Sequence, residues 1–240
     1  MVACDSDQTK VRNSDYAQYS IQSWQYWCDE NNVDLIVNRE NKFNRPIWNK
    51  SLIYEIGQGY DLVGMVDSDT MIHPNAPNIF ERLNPDKFYG VNDLCDLNWL
   101  FSSIEQRQKF FPNVEMDIFN YINAGVTFFS KKHLEIWKRF LTFVLENESE
   151  IEQIQGGGKE QTLLNFFLQQ EKVEIELLSP AWNLLSIHKK NMFTHNWQLN
   201  LDKVPHFIKY AHIWHFTGFP IEDRTRLMQQ TFKLIYENAQ

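Results

Sequence analysis

Short apolar runs alternate with helical stripes along this chain, and that alternation most constrains its fold. Apolar side chains recur at helical spacing at Ala17, Ile21 and Trp24. Leu134, Trp137 and Leu141 mark another helix, which the polar run ENESE ends, and Pro46 is expected to open a further one. Two more helices are expected over 159–170 and 223–237. The runs that predict buried strands are VDLIV (33–37), DLVGMV (61–66), KFYGV (87–91), GVTFF (125–129), VEIELL (173–178) and YAHIWHF (210–216). Strands that alternate with helices predict an α/β fold, with a Rossmann-like, mostly parallel sheet flanked by helices.

Length and charge limit the classes of protein that fit. A chain of 240 residues without a visible linker or repeat is expected to form a single domain over 1–240. Its net charge of −8, without any cluster of Lys and Arg, argues against a nucleic-acid partner or an anionic membrane. Apolar runs fall far short of the ~20 residues of a membrane span, and no charged-then-apolar leader is visible.

The cysteines indicate the compartment. Cys4, Cys28 and Cys95 are odd in number and lack metal-ligand spacing. Reduced thiols are therefore expected, and with them a cytoplasmic location.

The triplet DSD occurs twice, at 5–7 and at 67–69. With 14 Asp in 240 residues, chance alone supplies about one D-x-D, so only the context can separate the two copies. The second copy ends the strand predicted over 61–66, and open α/β sheets bind ligands where strands end. The spacing of Asp67 and Asp69 lets both carboxylates reach one hard cation such as Mg²⁺ or Mn²⁺. A solvated turn explains the same residues.

A phosphatase of the haloacid-dehalogenase type is a second explanation of VDSDTM. Those enzymes carry D-x-D-x-T after a buried strand, with the first Asp as nucleophile. In this chain Met71 stands in the position of the Thr, and no later acidic pair after a Gly is evident.

The stretch RPIWNKSLIYEIGQGYDLVGMVDSDTMI resembles the central segment of retaining GT-A glycosyltransferases. In glycosyltransferase family 34, W-x-K opens a helix and the next strand ends in D-x-D; family 8, the galactosyltransferase and glycogenin type, has a basic residue at the same offset. Three later segments, NAG (123–125), KEQTLLN (159–165) and HFTG (215–218), are similar to motifs of these families and follow in family order. The resemblance covers roughly residues 45–218.

This resemblance implies a metal-dependent enzyme that transfers a hexose or pentose from a UDP-sugar to a glycan, with retention of configuration. It implies a donor-binding part over about 1–130 and an acceptor-side part over about 131–240. The implied metal ligands for Mn²⁺ or Mg²⁺ are Asp67, Asp69 and His215. The implied catalytic residues are Gln161 and Glu160. The implied donor contacts are Asp5, Lys50, Asp67, Ser68, Asn123, Ala124, Gly125 and Gly218.

The chain departs from the family pattern after HFTG. Ile221 stands where family 8 has a phosphate-binding Lys, so contacts to a diphosphate are expected from elsewhere, with Arg224 and Arg226 as candidates. This departure keeps a GT-A-like nucleotide- or carbohydrate-binding module without turnover as an alternative. Aromatic candidates for stacking on an acceptor are Trp182, Phe193 and Trp197, although burial explains them as well.

Overall fold

A computed structural model describes residues 2–5, 15–40, 42–43, 46–94, 96–185 and 206–237. Its strands are β1 (Val2–Asp5), β2 (Leu35–Asn38), β3 (Leu62–Asp67), β4 (Thr70–Ile72), β5 (Phe88–Asn92), β6 (Ile122–Ser130), β7 (Ile175–Leu177) and β8 (Ile213–His215). Its α-helices are α1 (Ala17–Asn31), α2 (Ile53–Ile56), α3 (Leu97–Arg107), α4 (Leu134–Glu146), α5 (Glu148–Gln153), α6 (Lys159–Gln170), α7 (His206–Tyr210) and α8 (Ile221–Phe232). The 3₁₀ turns Pro46–Leu52 and Gly57–Gly59 flank α2, and the π-helical turn Lys233–Glu237 follows α8. Within these residues, none of the helices is both long enough and apolar enough to cross a bilayer.

The chain divides into two compact units, each built from separate stretches of sequence. Unit 1 contains Glu40–Met65 and Leu83–Leu177. Unit 2 contains Val2–Arg39, Val66–Arg82 and Leu178–Gln240.

Unit 1 has its strands in the order β3-β6-β5-β7. β5 is antiparallel to β6, with Tyr89 opposite Phe128, and parallel to β7. β6 is buried along its whole length, as its continuous apolar run predicts. Helix α4 turns Trp137, Phe140 and further apolar side chains inward, and all are buried.

Helix α6 begins at a glycine that its surroundings require. Gly158, at the N-cap, has φ +74°, a conformation that disfavours side chains. A Cβ there would lie 2.7 Å from Cζ2 of Trp99 and 2.9 Å from Oγ of Ser103. This glycine therefore fixes where the helix begins, and with it the positions of Glu160 and Gln161 in the first turn.

Unit 2 pairs β1 with β2 in parallel, and β4 with β8 in antiparallel register. In the second pair Thr70 lies opposite His215. The buried face of α1 holds these elements: Trp24 Nε1 donates to Thr70 Oγ1 (3.0 Å) and Trp27 Nε1 donates to Ala76 O (2.8 Å). Two buried indole donors are thus satisfied, and α1 is fixed over the segment that carries β4.

The structure confirms the predicted α/β class with a mostly parallel sheet, and α6 spans the predicted 159–170. The polar run ENESE ends α4 as expected, but a second helix, α5, begins within it. Helix α3 and strand β4 were not predicted. Asp96 starts α3 by accepting a hydrogen bond from Trp99 N at 3.0 Å, and β4 has only three residues, too few for a period-2 pattern.

Candidate functional site

Three potential metal ligands come together in unit 2. Asp67 ends β3, Asp69 directly precedes β4 and His215 ends β8, and one ligand atom from each lies within 4.8 Å of the others. Backbone pairing sets this arrangement, because Thr70 is opposite His215 and Phe216 N donates to Asp69 O at 2.9 Å. Asp69 is 8% exposed and His215 is 2% exposed. The three residues predicted as ligands thus lie together, with Asp69 and His215 buried and Asp67 half-buried.

The imidazole of His215 has an orientation that suits a cation. Its Nδ1 lies 3.0 Å from Oδ1 of Asn183. An amide oxygen only accepts, so Nδ1 carries a proton and donates, and in the neutral imidazole Nε2 then presents a lone pair. Nε2 lies 3.2 Å from Oδ1 of Asp69 and 3.9 Å from Oδ2 of Asp67, yet it is buried and makes no hydrogen bond within the described structure. A lone pair that faces two carboxylates is electrostatically unfavourable unless a positive charge lies between them.

The spacing of these atoms fits a divalent cation. Ligands about 2.1 Å from an octahedral ion lie roughly 3.0 Å from their neighbours in the coordination sphere, close to the 3.2 Å between Nε2 and Asp69 Oδ1. A ligand set that includes an imidazole suits Mn²⁺ better than an all-oxygen set does, because nitrogen is a softer ligand than oxygen.

Arg224 contributes a positive charge on the other side of Asp69. Its Nη1 lies 3.2 Å from Oδ2 of Asp69, its Nη2 donates to Phe219 O at 3.1 Å, and the guanidinium carbon lies 5.2 Å from the centre of the Tyr16 ring. Burial raises the pKa of Tyr16, the Asp69 carboxylate raises it further, and Arg224 and the Ser68 hydroxyl partly offset this. The phenol is therefore protonated at neutral pH. Sequence reasoning missed Tyr16, because a lone aromatic residue before a helix carries no signal.

A buried ion pair joins two predicted residues of unit 1. Lys50, in the turn Pro46–Leu52, places Nζ 3.3 Å from Oε2 of Glu160 in the first turn of α6. Both side chains are 9% exposed. Lys50 is therefore not the solvated helix position that is the commoner fate of lysine.

A network of amide and carboxylate groups also lies in unit 1, and it contains Asp93. Asn123 Nδ2 donates to Asp93 Oδ2 (3.0 Å) and to Gln161 Oε1 (2.9 Å), and Gln161 Nε2 donates to the same Asp93 oxygen (3.0 Å). Ala124 N donates to Gln161 Oε1 at 3.3 Å, and Gly125 N donates to Asn123 Oδ1 at 2.9 Å. Asp93 had little weight in the sequence, because an Asp after a strand is common in plain turns.

Helix α6 is fixed to the start of β6 by Asn165. Its Oδ1 accepts from Ile122 N and its Nδ2 donates to Ile122 O, both at 2.8 Å. One turn earlier, Gln161 Nε2 lies 3.4 Å from the hydroxyl of Tyr121. Burial raises the pKa of that phenol well above its ordinary value, so it stays a neutral partner for Gln161.

The remaining predicted residues are placed as follows. Gly218 follows β8 in a turn with φ +71°, a conformation that favours glycine. Trp182 is 8% exposed and its ring packs 4.6 Å from that of His212, so it is a packed residue and not an open platform for a sugar. The predicted nucleotide contact of the Asp5 side chain, and the stacking predicted for Phe193 and Trp197, lie outside the part that the structure describes.

Comparison with solved structures identifies the fold, although neither a protein-family model nor a curated protein sequence matches the chain. A glycosyltransferase involved in glycosylation of the major capsid of PBCV-1 aligns over 95% of this chain and 98% of its own, with a TM-score of 0.61 and 15% identity. The bifunctional glycosyltransferase WbbM aligns over 99% of this chain and 50% of its own, with a TM-score of 0.62 and 15% identity. The galactosyltransferase LgtC, solved with donor and acceptor sugar analogues, aligns over 95% of both chains, with a TM-score of 0.55 and 13% identity. The chain has the GT-A fold of these glycosyltransferases, as predicted.

Proposed function

We propose that this chain is a metal-dependent glycosyltransferase that moves a hexose or pentose from a nucleotide-sugar to a glycan acceptor. The observation that carries the proposal is the group Asp67, Asp69 and His215, in which a buried Nε2 faces two carboxylates. On a fold shared with glycosyltransferases, such a group suits a cation that accompanies a diphosphate.

Asp67, Asp69 and His215 are proposed to hold Mn²⁺ or Mg²⁺. When bound, the cation supplies positive charge that offsets the charge developing on the departing diphosphate. Asn183 keeps His215 in the tautomer that leaves Nε2 available, through the 3.0 Å contact at Nδ1.

The polar residues of unit 1 are proposed to bind the donor sugar. Lys50 brings a cation toward the donor, and its pairing with Glu160 keeps that buried charge neutralised. Gln161 and Asn123 offer amide groups to sugar hydroxyls, and Asp93 orients both amides. Ala124 and Gly125 carry little or no side chain, which allows close approach of the backbone.

UDP as the nucleotide and retention of configuration follow from the family resemblance and belong to the proposal. So do the single domain over 1–240, its donor-binding part at about 1–130, its acceptor-side part at about 131–240, and a cytoplasmic location. No residue is assigned as a covalent nucleophile, because the proposed retaining reaction does not require one.

A binding module without turnover is the second candidate. Ile221, which begins α8, supports it, because an apolar residue occupies the position of the family's phosphate-binding Lys. The two candidates differ only in turnover, so a screen of nucleotide-sugars for release of free sugar separates them.

The test of donor binding is thermal unfolding with UDP and Mn²⁺. Together they are expected to raise Tm, and Asp69→Ala is expected to abolish the rise. Asp61→Ala is the matched control, because Asp61 is an exposed carboxylate that pairs with Lys131 and directly precedes β3. If no nucleotide shifts Tm in a folded sample, donor binding is refuted; cleavage of small phosphoesters that depends on Asp67 would instead establish a phosphatase.

A further inference from the structure

We propose that Arg224 binds the diphosphate group of the ligand, and that it becomes available to this anion only once a divalent cation has bound to Asp67, Asp69 and His215. The inference rests on the proposed function and assigns a residue that the motifs of the sequence leave undecided. It concerns unit 2 alone.

The first argument is that the two carboxylate oxygens of Asp69 contact different groups. Oδ1 lies 3.2 Å from Nε2 of His215, whereas Oδ2 lies 3.2 Å from Nη1 of Arg224. A cation bound between Oδ1 and Nε2 therefore need not displace the guanidinium. Arg224 and the cation become neighbours on one carboxylate, and an anion that bridges two positive charges is held more strongly than by either alone.

The second argument is the number of donors that Arg224 has left. Nη1 faces Asp69 and Nη2 donates to Phe219 O, while Nε is buried and has no hydrogen-bond partner within the described structure. A guanidinium offers five N–H donors in a planar fork that matches phosphate oxygens. The stacking on Tyr16 and the bond to Phe219 hold this fork in place, so little side-chain freedom is lost when an anion binds.

The third argument is the charge of the corner. A divalent cation adds two positive charges beside the two carboxylates and the guanidinium, and this makes the corner more attractive to a diphosphate. The anion is thus expected to bind after the cation and not before.

Arg226 does not fit this role, although it lies on the same helix two residues later. Its Nη2 pairs with Asp223 at 2.9 Å and its side chain is 49% exposed, against 18% for Arg224. Arg226 is therefore the matched control, since its replacement removes the same charge from the same helix.

The experiment is calorimetric titration of the full chain, first with MnCl₂ alone, then with inorganic pyrophosphate and with UDP in saturating Mn²⁺. Arg224→Ala is expected to weaken binding of both anions about tenfold to a hundredfold, the range of a lost charge-assisted hydrogen bond. The same variant is expected to bind Mn²⁺ alone as tightly as the wild type or a few-fold more tightly, because a neighbouring positive charge is gone. Arg226→Ala should leave all titrations unchanged.

A loss of anion affinity without a loss of Mn²⁺ affinity distinguishes a role of Arg224 in binding from a defect in folding. If Arg224→Ala weakens Mn²⁺ binding as well, Arg224 only supports Asp69 and the proposal is wrong. Unchanged pyrophosphate and UDP affinities in Arg224→Ala also overturn it. Arg224→Lys is expected to show an intermediate loss, because one ammonium cannot replace the planar fork. If the wild type binds Mn²⁺ but neither anion, the proposed function itself has failed, and that result is read from the wild type without any variant.

Discussion

The buried ion pair between Lys50 and Glu160 yields a quantitative prediction. Both side chains are 9% exposed and Nζ lies 3.3 Å from Oε2. Replacing Lys50 removes this attraction from a carboxylate in a poorly solvated position, so Lys50→Met is expected to cost about 3 kcal/mol of unfolding free energy. For 240 residues, an unfolding entropy of about 2.1 cal/mol/K per residue gives roughly 0.5 kcal/mol/K. The expected fall in Tm is therefore about 6 °C.

The double variant makes this prediction specific. Lys50→Met combined with Glu160→Gln removes both charges, so it is expected to be less destabilised than the sum of the single variants, with a coupling energy of about 2 kcal/mol. The measurement is urea unfolding followed by tryptophan fluorescence, as a double-mutant cycle. The contrast is the exposed pair Lys131–Asp61, which is closer at 2.6 Å but has side chains 63% and 87% exposed. That pair is expected to couple far more weakly, because solvent screens both charges. If the two pairs couple equally, burial does not set the energy of the Lys50–Glu160 pair and the reasoning is wrong.

Three further predictions concern unit 1 and unit 2 separately. Asn183→Ala should weaken Mn²⁺ binding about 10–100-fold by releasing the His215 ring, whereas loss of His215 should abolish binding. Calorimetry measures both affinities, and an unchanged Mn²⁺ affinity in Asn183→Ala would contradict the tautomer assignment. Gly158→Ala should cost about 1–3 kcal/mol, since φ is +74° and the new Cβ would lie 2.7 Å from a tryptophan ring. Urea unfolding tests this against Gly59→Ala, where a Cβ meets nothing within 4 Å. Burial and a neighbouring lysine lower the pKa of His133 from 6.5 to about 4, so its contribution to stability is full above pH 6.5 and is lost as pH falls towards 4. In His133→Gln the free energy of unfolding should fall less between pH 6.5 and 4 than it does in the wild type. Parallel pH profiles of the two proteins would contradict the assignment.

Periodicity predicted those parts of the fold that long apolar patterns define. The nine residues of β6 are buried throughout, and the twelve of α6 match the predicted range. Strand β4 was not predicted, because three residues cannot show a periodic pattern. It is stabilised by pairing with β8, which is distant in sequence. Helix α3 was not predicted, because its start depends on the N-cap at Asp96, and a pattern of apolar residues does not include a polar cap.

The candidate site was predictable where residues lie close in sequence to a strand end. The position of Asp67 and Asp69 marks them as candidate ligands, although it also fits a solvated turn, whereas His215 was indicated only by the family resemblance. Arg224 was one of two candidates, and the sequence offered no reason to prefer it. Nothing in the sequence indicated that Asn183 contacts His215, because that contact depends on how two segments distant in sequence fold together. Its effect on His215 is visible only in three dimensions.

The antiparallel pairing of β4 with β8 has a consequence for biosynthesis. Thr70 and His215 are partners across more than half of the sequence, so the two aspartates leave the ribosome long before their histidine. At about 5–20 residues per second the interval is roughly seven to thirty seconds, during which the nascent chain has the two carboxylates without the proposed third ligand. Closing so long a loop is also entropically slow. Loading of the proposed metal site is therefore expected to be a late event, and a translation product that stops before Ile213 should keep the aspartate motif yet bind no divalent cation.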